Sequence, residues 1–148
     1  TKKGCRWSKK MEAIHDLIAK SEENWECMVM LRSRKPFHVN AAMSRMYYSI
    51  FLLVKSSMVI NCGNPDLPDV TKMSMDDATG VHRLAKEYLS WIKPKLGMDY
   101  QVLIRRRVQA DYYPLPITQD EFEKSYEIWS ARRAEFVRNL KKIGRLMP

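Results

Sequence analysis

Apolar residues recur at helical spacing along most of the chain. Met11, Ile14, Ile18, Trp25, Met28 and Leu31 form one stripe, which predicts a first helix from about Ser8 to Arg32. Ser8 is the expected N-cap, and Pro36 in "RSRKPF" ends the element because proline cannot continue a helix. A second helix is expected from about Asn40 to Asn61. It is apolar on more than one face, with Met46, Tyr47, Ile50, Phe51, Leu53, Val54 and Met58. A helix of that kind is central in its bundle or shared with a second subunit.

"NCGNPDLPD", residues 61–69, reads as a loop, given Gly63, Pro65 and Pro68. "SMDD" places Ser74 three residues before Asp77, a capping-box-like start for a third helix. That helix carries Val81, Leu84, Tyr88 and Trp91, and Pro94 ends it. A fourth helix is expected from about Asp99 to Tyr113, stopped by "PLP". "TQDE", Thr118 to Glu121, is a capping box that opens a fifth helix, with Phe122, Tyr126, Trp129, Phe136, Leu140 and Ile143 along one side. Five helices with short connections predict an all-α, antiparallel bundle of four to five helices.

The chain has 148 residues, which fits one domain spanning 1–148 with a single core. Only five glycines are present, which argues against a turn-rich all-β fold. The 26 Lys and Arg exceed the 17 Asp and Glu, for a net charge of +9. That balance points to a polyanionic partner, with nucleic acid foremost. Three cysteines without a CxxC pair indicate neither a disulfide framework nor a zinc site, so no metal or other cofactor is expected. A reducing, cytoplasmic setting is the simplest one. The most apolar run, Met46 to Val54, is too short to span a bilayer, and no signal peptide is expected.

The densest chemistry lies in "IRRRVQADYYPLP", Ile104 to Pro116. On a helix, Arg107 and Asp111 are four apart, while Arg105 and Tyr112, like Arg106 and Tyr113, are seven apart. Each pair shares a face. A surface mixing guanidinium groups, an acid and phenols suits phosphate binding, because arginine offers a planar fork of donors and tyrosine can stack on a base. The plainer alternative is an intrahelical Arg107–Asp111 ion pair, worth about 0.3 kcal/mol, with the tyrosines as core anchors.

On the second helix, Arg45 and Tyr48 face the same cleft as a further phosphate contact, or Arg45 is a buried partner of Asp111 that holds two helices in register. Tyr47 reads as core. His15 and His82 read as ordinary helix histidines. The Arg32–His38 pair lies in the first interhelical turn and has no expected role. The basic C-terminal stretch "RRAEFVRNLKKIGR" reads chiefly as a helix packed in the bundle.

"RVQADYYP", Arg107 to Pro114, resembles the Arg-x-x-Ala-Asp-Tyr signature of small stand-alone prokaryotic HEPN domains. "AAMSRMYYSIF", Ala41 to Phe51, resembles the Ala-x-Ser-Arg-Ala-Tyr-Tyr-Ala-Met-Phe helix of that branch. "TGVHRL", Thr79 to Leu84, is a weaker match to its His-x-Gly-Val stretch, and "ITQDEFEKSYE", Ile117 to Glu127, fits the start of its last helix. The four matches keep their order and cover about residues 41–143.

The resemblance implies a helical bundle that dimerises and a basic cleft for RNA or nucleotides. Many HEPN proteins are metal-independent ribonucleases of toxin–antitoxin, phage-defence or CRISPR systems, and small ones often pair with a minimal nucleotidyltransferase. The resemblance carries over Arg107, Asp111 and Tyr112 as the candidate catalytic set, while the shared helix faces and the second helix offer Arg105, Arg106, Tyr113, Arg45 and Tyr48 as candidates for nucleic-acid binding. One departure stands out. The histidine that follows the arginine in HEPN nucleases has no counterpart at that spacing, where Tyr112 stands instead. A non-catalytic module that binds a nucleotidyltransferase or a defence complex through its charged face is the alternative.

Overall fold

The computed structural model describes residues 2–61 and 78–146, with side chains over 11–61 and 80–142. Among the described residues the chain is all-α: α1 (Lys2–Ser33), α2 (Val39–Ile60), α3 (Ala78–Ile92), α4 (Pro94–Tyr112) and α5 (Gln119–Leu146). The expected loop over residues 61–69 and the Ser74 capping box lie almost wholly outside the described residues. No helix among the described residues is long and apolar enough to cross a membrane.

Two helix starts and one side chain differ from the sequence pattern. Helix α1 begins at Lys2, so Ser8 is an interior residue and not the N-cap. Helix α4 begins at Pro94 rather than near Asp99. Proline at the first helical position lacks only an N–H that would be unsatisfied there, so the residue that stops α3 also starts α4. Trp91 lies 54% exposed at the end of α3, outside the core assigned to it.

Helix α2 is the centre. Its side chains Met43, Met46, Tyr47, Ile50, Leu53, Val54 and Met58 are all buried, each such burial contributing about 1.5–3 kcal/mol. It is flanked by α1, α3, α4 and α5. Residue pairs set the helix directions. Ser21 and Ser49 exchange hydrogen bonds of 2.7 and 2.9 Å through hydroxyls and carbonyls, and Asn24 meets Arg45, so α1 and α2 are antiparallel. Glu22–Arg133 and Arg32–Glu123 make α1 and α5 antiparallel, and Asp99–Arg132 and Tyr100–Trp129 do the same for α4 and α5. By contrast α2 and α3 run parallel, since Tyr47 meets His82 and Ser57 meets Tyr88. The bundle is therefore mixed rather than wholly antiparallel.

Two local devices hold the last helices in place. Lys93 is a single extended residue between α3 and α4 (φ −158°, ψ 124°). The corner it makes is so tight that a Cβ on Gly97 would fall 2.7 Å from Ser90 Cα, closer than atoms of that kind can pack. The expected capping box of α5 is formed. Thr118 Oγ1 accepts from the Glu121 N–H at 3.1 Å, and Glu121 Oε1 accepts from the Thr118 N–H at 3.1 Å.

Candidate nucleic-acid interface

Helix α2 is apolar, yet one stripe along it is polar: Asn40, Ser44 and Tyr48 at i, i+4 and i+8, with Arg45 beside them. That stripe, Cys27 and Leu31 of α1, and Arg107, Ala110, Asp111 and Tyr112 of α4 line an open groove of about 800 Å³. Ala110 and Asp111 share the side of Arg107 because they lie three and four positions on, and Tyr112 joins them at the end of the helix.

Arg107 is the anchor. Its Nη2 donates to Tyr48 Oη at 2.8 Å, and its Nε lies 3.0 Å from Asp111 Oδ2. That Nε is buried and has no aligned hydrogen bond, so the contact with Asp111 is an ion pair without hydrogen-bond geometry. The guanidinium also sits over three phenol rings, 5.5 Å from the centroid of Tyr47, 5.4 Å from Tyr48 and 5.7 Å from Tyr112. Burial works against the charge on Arg107, but the Tyr48 hydroxyl and the Asp111 carboxylate outweigh it, and its pKa is raised. The group is a permanent cation held in one place.

Arg45 is the second cation of the groove. Its Nη1 donates to Asn24 Oδ1 at 3.0 Å and its guanidinium lies 5.6 Å from the Tyr48 ring. Asp111 takes its ion pair from Arg107 on its own helix. A buried Arg45–Asp111 pair, one of the two alternatives for Arg45, is not formed. Two guanidinium groups therefore flank one phenol ring, with a single carboxylate among the lining residues.

The other candidates separate. Arg106 is drawn across to α5, where it pairs with Glu121 and donates to Gln109 Oε1 at 3.3 Å. It is a tether between helices rather than part of the groove. Arg105 is exposed and has no ion-pair partner among the described residues. Tyr112 and Tyr113 are 71% and 61% exposed, and with Leu115 at 75% they make an apolar lip. The intrahelical Arg107–Asp111 pair is present, but these tyrosines are not core anchors: Pro114 forces Tyr113 into an extended conformation (φ −91°, ψ 145°), which swings the segment off the bundle. Arg32 pairs with Glu123 at 2.9 Å and lies over the Tyr126 ring at 4.0 Å, a packing role.

Behind the groove is an arrangement the sequence pattern did not suggest. The hydroxyl of Tyr100 donates to that of Tyr47 at 3.4 Å, which leaves the Tyr47 hydroxyl to donate to Nδ1 of His82. Burial, then the Arg107 and Lys55 charges, lower the pKa of His82, so its ring is neutral near pH 7. Burial pushes the phenol of Tyr47 up to about 12. His82 thus meets Tyr47 rather than the groove, and no histidine lines the groove. The sequence pattern did not single out Asn24, Asn40 or Ser44, although a polar stripe within an apolar helix is a signal for the last two; His82, an ordinary helix histidine by its sequence, is instead bonded to Tyr47. Among the described residues no cluster of His, Cys, Asp or Glu side chains could hold a metal ion.

No family model matches this chain, and no curated protein or solved structure matches it significantly.

Proposed function

We propose that the chain is a HEPN-like protein whose α1–α2–α4 groove binds RNA or a nucleotide, one phosphate between Arg45 and Arg107 and a base on Tyr112. One observation carries this reading. Two guanidinium groups face one carboxylate in an open groove, and a fixed surplus of positive charge beside an exposed phenol suits a phosphate next to a base. The resemblance of residues 41–143 to HEPN domains supports the same ligand class.

Binding is favoured over cleavage on chemical grounds. Metal-free cleavage needs a 2′-hydroxyl to attack the adjacent phosphate, with one group taking its proton and another protonating the leaving oxygen. Arg107 is placed to stabilise the charge developing on the phosphoryl oxygens. Proton transfer would fall to Asp111 and Tyr112, since no histidine lines the groove.

The test is end-labelled RNA incubated in EDTA with the wild type, Arg107→Ala and Asp111→Ala, followed by a gel shift at rising salt. A wild-type shift that fades steeply with salt and is lost in Arg107→Ala supports the phosphate groove. Cutting that disappears in both variants adds a ribonuclease, of the kind found in toxin–antitoxin and defence systems. Neither shift nor cutting overturns the reading. The exposed Tyr112–Tyr113–Leu115 lip then favours a module that docks a protein partner, such as a nucleotidyltransferase or a second copy of the chain.

A further inference from the structure

A second cavity lies across the bundle, where the end of α2, the α3–α4 corner and the last turns of α5 meet. It measures about 240 Å³. Leu96 and Leu140, each 6% exposed, form its floor with the half-buried Phe136, and Ile92 closes one side. A cavity of roughly 150 Å³ takes a benzene ring, so this one holds a body of one ring with a short polar group attached.

The charges at its mouth narrow the choice further. Arg132 is already engaged, 2.6 Å from Asp99 Oδ2, and Asp99 also holds Lys95 at 3.2 Å. Three charged or polar side chains on the lining are left without a partner among the described residues: Lys93, Glu135 and Asn139. Lys93 and Glu135 line one cavity with opposite charges and make no ion pair with each other. A simple anion would meet Glu135 unfavourably, and a simple cation would meet Lys93 unfavourably. A molecule carrying both charges satisfies both.

We infer that this cavity binds a zwitterionic amino acid with an apolar side chain of about one ring, carboxylate toward Lys93, ammonium toward Glu135, and side chain among Leu96, Phe136 and Leu140. The Asn139 amide serves either charged group. None of these residues belongs to the α1–α2–α4 groove, so the inference stands apart from the RNA reading.

The experiment is calorimetric titration of the full chain with L-phenylalanine, phenylacetate and phenethylamine, with methyl NMR shifts to locate the ligand. L-Phenylalanine is expected to bind at least tenfold more tightly than either half-molecule, with shifts at Ile92, Leu96 and Leu140. Glu135→Gln should weaken phenylalanine about tenfold and tighten phenylacetate, which no longer meets a like charge, and Lys93→Ala should weaken both acids about tenfold. Both side chains are exposed, so both variants keep the fold. Arg107→Ala should leave this binding untouched. Phenylacetate binding as tightly as phenylalanine, no binding at millimolar ligand, or shifts elsewhere would each overturn the assignment.

Discussion

The two halves of α4 obey different rules. In the first half, Leu96, Gly97, Tyr100 and Leu103 are buried, and Asp99 is tied to Arg132 and Lys95. After Leu103 no residue of the helix is fully buried; Ile104 and Ala110 still rest against the core, but three arginines, Gln109, Asp111 and Tyr112 now dominate. One continuous helix thus has a packed root and a presented tip. Polar chemistry at the tip needs no core of its own, because the root fixes where the tip points.

The sharpest way to break this contrast is at the root. Tyr100 is fully buried, with its hydroxyl on Tyr47 and its ring on Trp129. Tyr100→Ala should cost about 3–5 kcal/mol of stability, read from denaturant midpoints. At the tip, Arg107→Ala should weaken RNA binding at least tenfold in a filter or anisotropy assay, yet cost only about 1 kcal/mol of stability. Similar damage to stability by both substitutions would erase the distinction between the halves.

A smaller effect sits between them, at His82. Its folded pKa is lowered, so between that value and the unfolded value near 6.5 the unfolded chain binds the proton and the native chain does not. Stability should therefore fall as pH drops from 7 through about 6.5 and below. His82→Gln should flatten that dependence in thermal melts across pH 5 to 7; an unchanged slope would place the titration elsewhere. The smallest effect is expected for Arg106→Gln, which removes the ion pair with Glu121. A part-exposed pair of this kind is worth about 0–1 kcal/mol, and RNA affinity should change far less than in Arg107→Ala.

What could be read from the residues alone follows the range of the forces. Helix stripes, the stops at Pro94 and Pro114 and the Thr118–Glu121 cap are local, and so is the Arg107–Asp111 pair at i, i+4. The partners of those residues across the bundle are not. Nothing in three adjacent arginines tells which one Glu121 will capture, or that Tyr48 will take Arg107. The meeting of Tyr47 with His82, 35 residues apart, depends on α2 and α3 running parallel, which periodicity does not specify. Trp91 sits on an apolar stripe and still faces outward, because the corner at Lys93 decides where α3 ends.

The pairing of α1 with α5 bears on the order in which the bundle assembles. Helices α1 and α2 meet through contacts such as Ser21–Ser49, 28 residues apart, whereas Arg32–Glu123 and Glu22–Arg133 span 91 and 111 residues. Closing the longer loops costs more chain entropy before any contact rewards it, so the α1–α2 hairpin is expected to form early and α5 to dock late. The Arg107 groove rests on α1, α2 and α4, while the Lys93 cavity needs the last turns of α5. In pulse-labelling hydrogen exchange, amides around the groove should gain protection before those around the cavity.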